Sequence, residues 1–142
     1  MKEERAVEGN IYTEIILDLY KKPVNYGELP DPDLQFSGGN PTCGDEVVFH
    51  LRLKDDHIQE VLFHGHGCAI SRASECVLTE MVKGMRLEEV LEIKPDAVFD
   101  ELGGVIQTRI KCALLGLHVL KHGIRLYLKN PAEFTVIKGI SI

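Results

Sequence analysis

Apolar positions fall at helical spacing from Ile11 to Tyr20, where Ile15, Ile16, Leu19 and Tyr20 share one face and Pro23 ends the run, so the pattern predicts a first amphipathic helix. The stretch from Tyr26 to Pro32 holds Gly27, Pro30 and Pro32 and reads as a loop, followed by a short edge strand over Leu34 to Ser37. From Glu46 the period changes to two. Val47, Phe49, Leu51 and Leu53 alternate with other residues, Asp55 and Asp56 make a turn, and Ile58 to His64 resumes as a second strand, which together predict a hairpin.

The segment "GHGCAISRASECVLTEMVKG" is glycine-rich at its start and helical after it, with Ile70, Ala73, Val77, Leu78 and Met81 as the apolar stripe. Short helices are predicted over Leu87 to Ile93 and Pro95 to Leu102. Gly103 and Gly104 then break the chain before a last helix from about Thr108 to Lys121, which is expected to stop at Gly123. From Arg125 to Ile142 strand-like and turn residues mix, and the pattern assigns no element there. No internal repeat or low-complexity segment is visible.

At 142 residues the chain is expected to form one domain, 1–142, with a core large enough to need no metal or disulfide staple. A metal would then serve function first. A formal net charge of -6 argues against nucleic acid or an anionic membrane as a partner, since phosphates are bound by clustered Lys and Arg. The opening "MKEERAVEGN" has no apolar core of a secretory signal, and the longest apolar run, Ala113 to Leu120, is far short of the roughly 20 residues a membrane span needs. These features suggest a soluble, cytoplasmic protein whose four cysteines are reduced thiols.

The cysteines, at positions 43, 68, 76 and 112, form no C-x-x-C pair, so zinc-finger and thioredoxin readings lose support. Spacing alone leaves two alternatives open: a metal site assembled from distant loops, or four buried thiols. Local chemistry bears on the choice. In "NPTCGD", read as extended, Cys43 and Asp45 face the same side, and Gly44 between them lets the backbone come close. Cys68 falls at a helix N-terminus, where the macrodipole favours the thiolate that a metal or a persulfide donor needs.

Cys76 lies roughly 12 Å and 80° further along the same helix and reads as a small buried hydrophobe. Cys112 reads either as a core thiol on a helix face or, given Arg109 one turn earlier and Lys111 beside it, as a reactive thiolate. His66 is a candidate ligand against a simpler reading, shared with His64, as a solvated strand-end residue. His50, His57, His118 and His122 read as surface or satisfied residues. No Ser/His/Asp arrangement, P-loop or G-x-G-x-x-G suggests a hydrolase or nucleotide enzyme.

Four pieces occur in order: "YTEIILDLYKKPVN", "NPTCGDEV", "GHGCAISRAS" and "RIKCALL". Together they resemble the U-type iron-sulfur cluster assembly proteins, the family of IscU, SufU and the N-terminal domain of NifU. The resemblance covers about Ile11 to Gly123 and leaves 124–142 as a C-terminal extension. It implies an α+β, SufE/IscU-like fold: a small, mostly antiparallel three-stranded sheet packed against helices, with the ligands gathered at one exposed end.

Carried over residue by residue, the site would be Cys43, Asp45, Cys68 and Cys112. In the family these groups bind Zn2+ or a nascent [2Fe-2S] cluster. The implied role is that of a scaffold and carrier, not an enzyme: sulfur arrives as persulfide from a cysteine desulfurase, and the cluster passes to apo iron-sulfur acceptor proteins. Cys43 and Cys112 are the persulfide-acceptor candidates, with Arg109 and Lys111 as supporting charges. An alternative is a zinc-containing sulfur-transfer partner of the desulfurase. Soft thiolates select zinc or iron-sulfur, and a single carboxylate makes the set weaker than four thiolates, as suits cargo that must leave.

Three features depart from the family's branches. The IscU branch carries histidine directly before the last cysteine, where this chain has Lys111, as SufU does. The SufU branch has about twenty extra residues between the second and last ligand cysteines, whereas here positions 68 and 112 are 44 apart. The segment before the last helix, "GGVIQTRIKC", lacks the proline-rich motif with which the IscU branch docks its chaperone.

Overall fold

The computed structural model describes residues 12–142, so the charged opening segment and Ile11 lie outside the described residues. Helix α1 spans Glu14–Lys21 and is capped by Thr13, whose Oγ accepts the Ile16 N–H at 3.1 Å and donates to the Leu102 carbonyl at 2.7 Å. Of its expected apolar face, Ile16 is fully buried and Leu19 packs at the core margin, whereas Ile15 and Tyr20 are exposed.

Strands β1 (Leu34–Asn40), β2 (Asp45–Lys54) and β3 (His57–His66) form an antiparallel meander, with Phe36 opposite Phe49 and Phe49 opposite Phe63. Asp55 and Asp56 take φ of 53° and 63°, the left-handed pair of a tight two-residue hairpin turn, as the alternation predicts. Helix α2 (Ala69–Val82) follows, then the short α3 (Leu87–Val90) and α4 (Pro95–Glu101), a 3-10 turn over Gln107–Arg109, and the long α5 (Ile110–Lys129).

The class is α+β, as the resemblance implies, but the sheet has four strands instead of three. Strand β4 (Val136–Ser141) pairs in parallel with β1, giving the order β3-β2-β1-β4. β1 is therefore an inner strand and not an edge. The β4 signal is weak because Ile140 alone is buried and Gly139, at φ 76°, interrupts the alternation.

The last helix also passes through Gly123, its expected stop. A Cβ at Gly123 would stand 2.4 Å from Cγ of Phe36, so this glycine lets the helix lie directly on a β1 ring. One sheet face, built from Phe36, Phe49, Phe63, Val47 and Leu51, packs under α2 and α5 as the core. Residues of opposite parity, His50 among them, point to the other face. No helix among the described residues is long and apolar enough to cross a membrane.

Candidate functional site

Three chain segments meet at one end of the sheet: the β1–β2 turn, the start of α2 and the start of α5. The turn is not extended. Asn40 accepts the Gly44 N–H on its carbonyl (2.8 Å) and the Thr42 N–H on its side-chain oxygen (3.0 Å), and Gly44 takes φ 81°. This tight turn, and not an alternating strand, directs Cys43 and Asp45 toward one point. Cys43 is exposed, whereas Asp45 is 5 % exposed.

Cys68 caps α2. Its backbone is extended, with φ -75° and ψ 170°, and its Sγ accepts the Ser71 N–H at 3.5 Å. Its own N–H donates to Asp45 Oδ1 at 3.1 Å, and its thiol lies 3.8 Å from Asp45 Oδ2. Gly67 permits this approach, because a Cβ there would come within 2.8 Å of Asp45 Oδ1. Cys112 lies in the first turn of α5, 7 % exposed, beside the Cys68 thiol and the Arg109 guanidinium. Between the two helices, Ser74 donates its hydroxyl to the Ala113 carbonyl, which locks the start of α5 against α2.

The donor atoms of Cys43, Asp45 and Cys112 all lie within 4.8 Å of one another, and Cys68 joins them beside Asp45. Four ligands at about 2.3 Å around a tetrahedral ion stand about 3.8 Å apart, the separation of the Cys68 thiol from Asp45, and the donors of Cys43, Asp45 and Cys112 fall within 4.8 Å. Three soft sulfurs and one hard oxygen fit zinc or an iron-sulfur cargo.

The electrostatics of the protein side chains correct one expectation. Burial, then the Cys68 thiol and then Asp45 push the Cys112 thiol up to about 12, and the Arg109 hydrogen bond only partly opposes them. Lys111 is exposed and is turned about 100° from Cys112 around the helix. The nearby cations therefore do not make Cys112 a thiolate by themselves. Cys76 is fully buried and its thiol is pushed up to about 11, chiefly by burial, in line with its reading as a small hydrophobe. His66 is exposed, 3.4 Å from Glu46, and stands apart from the thiol cluster.

Sequence reasoning passed over Glu75. Its carboxyl is buried and held well above the usual carboxylate range, first by burial and then by Asp45, with Arg72 opposing and Cys68 adding. The available signal was its place seven residues after Cys68, two turns along the same helix face.

An α+β layer gathers thiols from a hairpin turn and two helix starts beside a carboxylate, a donor set whose chemistry suits a soft metal or sulfur. The description "NifU-like N terminal domain" matches residues 11–133, and the chain belongs to that family. It is 38% identical over 124 residues to the iron-sulfur cluster assembly scaffold protein IscU of Aquifex aeolicus, covering 86% of this chain and 79% of that protein. It is 33% identical over 132 residues to the zinc-dependent sulfurtransferase SufU of Bacillus subtilis, covering 80% and 89% respectively. The crystal structure of a SufU from Fervidobacterium islandicum AW-1 superposes with a TM-score of 0.68 at 28% identity, over 79% of this chain and 95% of that one.

Proposed function

We propose that this single-domain protein is a scaffold for iron-sulfur cluster assembly, which takes sulfur from a cysteine desulfurase, builds a [2Fe-2S] cluster and passes it to apo-proteins. The observation that supports the reading is that the donors of Cys43, Asp45 and Cys112 lie within 4.8 Å of one another, with the Cys68 thiol 3.8 Å from Asp45. These four residues are the proposed ligands, for the cluster as cargo and for Zn2+ in the resting protein.

Cys43 is the proposed first acceptor of sulfur, because it is the exposed thiol of the set. Its thiolate attacks the sulfane sulfur of the desulfurase persulfide. The S–S bond breaks, the desulfurase cysteine leaves as a thiolate, and Cys43 carries the new persulfide. Cys68 and Cys112, set deeper, then serve as anchoring ligands once iron displaces their protons, and the sulfane sulfur becomes bridging sulfide by taking electrons from ferrous iron and from an external electron donor such as a reduced ferredoxin or a thiol. The chain positions and releases cargo without turning over a substrate of its own. Four unpaired thiols suit a reducing compartment, so the cytoplasm is the proposed location.

One second reading is favoured by a specific observation. Lys111 stands where a histidine ligand would precede Cys112, and the SufU relative is named a zinc-dependent sulfurtransferase. A zinc-holding persulfide shuttle would use the same exposed Cys43. Anaerobic incubation with a desulfurase, cysteine, ferrous iron and a thiol reductant separates the two. The scaffold reading expects [2Fe-2S] absorption and transfer to an apo-ferredoxin, whereas sulfur uptake without a cluster would select the shuttle.

A further inference from the structure

On the opposite face of the sheet a second cluster of donors lies under the loop that joins α1 to β1. Nε2 of His50 stands 3.1 Å from Nε2 of His64, and Nε2 of His64 stands 3.8 Å from Glu28 Oε2. All three donor atoms fall within 4.8 Å of one another. His50 is 5 % exposed, and its Nδ1 is buried without a hydrogen-bond partner.

We infer that Glu28, His50 and His64 form a second site, for a divalent first-row cation such as Zn2+ or Fe2+, with water completing the shell. Two ring nitrogens bound about 2.0–2.1 Å from one ion at angles near 90–110° stand about 2.9–3.4 Å apart, and 3.1 Å lies inside that range. If His50 donates through Nε2, its buried Nδ1 is an acceptor with no donor; if His64 donates, the His50 Nδ1–H lies beside the Leu29 backbone. An ion takes both Nε2 lone pairs at once and leaves that same Nδ1–H beside the Leu29 backbone.

Two imidazoles and one carboxylate with open positions suit a borderline cation better than calcium or magnesium. The side chain of Glu28 is 71% exposed, so it reaches the ion by a rotamer change. The site is independent of the thiol cluster. Asp45 and His50 are five residues apart on β2, roughly 17 Å, and point to opposite faces of the sheet.

The test is equilibrium dialysis of the full chain against micromolar Zn2+ with metal counted per chain. The wild-type protein should hold one equivalent more than His64→Gln, and this difference does not depend on how the cysteines are filled. Glu28→Gln should weaken the additional equivalent at least tenfold, and His118→Gln should retain it. His64 and Glu28 are partly exposed, so both variants should fold, as circular dichroism would verify. Equal counts in wild type and His64→Gln, or loss of the additional equivalent in His118→Gln, would overturn the assignment.

Discussion

The backbone N–H of Cys68 donates to Asp45 Oδ1 at 3.1 Å, so the hairpin turn and the start of α2 are fastened to each other by a residue that is itself a proposed ligand. Asp45 thus shapes the site through one oxygen and leaves the other for the proposed cargo. Because a hard carboxylate is a poor match for an iron-sulfur core, it is the natural point of release. Asp45→Ala should therefore hold its cluster more statically and transfer it to an apo-ferredoxin about tenfold more slowly. Transfer timed by circular dichroism would check this; an equal or faster rate would count against it.

Arg109 and Lys111 flank Cys112, yet only Arg109 bonds to it. In metal-free protein with the other three cysteines replaced, Arg109→Ala should push the thiol still higher and slow its alkylation at pH 8 to 9. Lys111→Ala should change the rate less. A larger effect from Lys111 would reverse the roles given to the two cations.

Glu75 gives a pH signature. Its folded carboxyl titrates above the ordinary 4.5, so between that value and its raised pKa the folded chain keeps a proton that the unfolded chain releases. Stability is fully present below about pH 4.5 and falls as pH rises through the window. In metal-free protein, Glu75→Gln should flatten this slope and raise the melting temperature at pH 8 by several degrees. Thermal melts from pH 5 to 8 would show whether the wild type carries the slope and the variant loses it.

The elements that one chain segment specifies alone were legible. The β2–β3 hairpin followed from strict alternation and the Asp55–Asp56 pair, and α2 from its stripe and the glycines before Cys68. What depends on a distant partner was not. Gly123 looked like a stop because the Phe36 ring that requires it is 87 residues away in sequence, and β4 has one buried residue and gains its strand character from β1. His50 reads from sequence as a surface or satisfied residue, and its burial comes from the loop around Glu28 and Leu29, which covers it. For the thiol cluster, the resemblance carried by the four motifs nominated Cys43, Asp45, Cys68 and Cys112, whereas cysteine spacing alone left buried thiols as an alternative. The upward shift of Cys112 was hidden, since it arises from burial and from Cys68 and Asp45 across the fold.

The central claim is that three thiols and Asp45, and not Cys76, hold the cargo. Iron and acid-labile sulfide per chain, counted after anaerobic reconstitution of the four single Cys→Ser variants, test it most directly. The account predicts near-complete loss for Cys43→Ser, Cys68→Ser and Cys112→Ser, and a wild-type count for Cys76→Ser, provided circular dichroism shows each variant folded. A folded Cys76→Ser that fails to load, or a folded Cys43→Ser, Cys68→Ser or Cys112→Ser that loads normally, would contradict it.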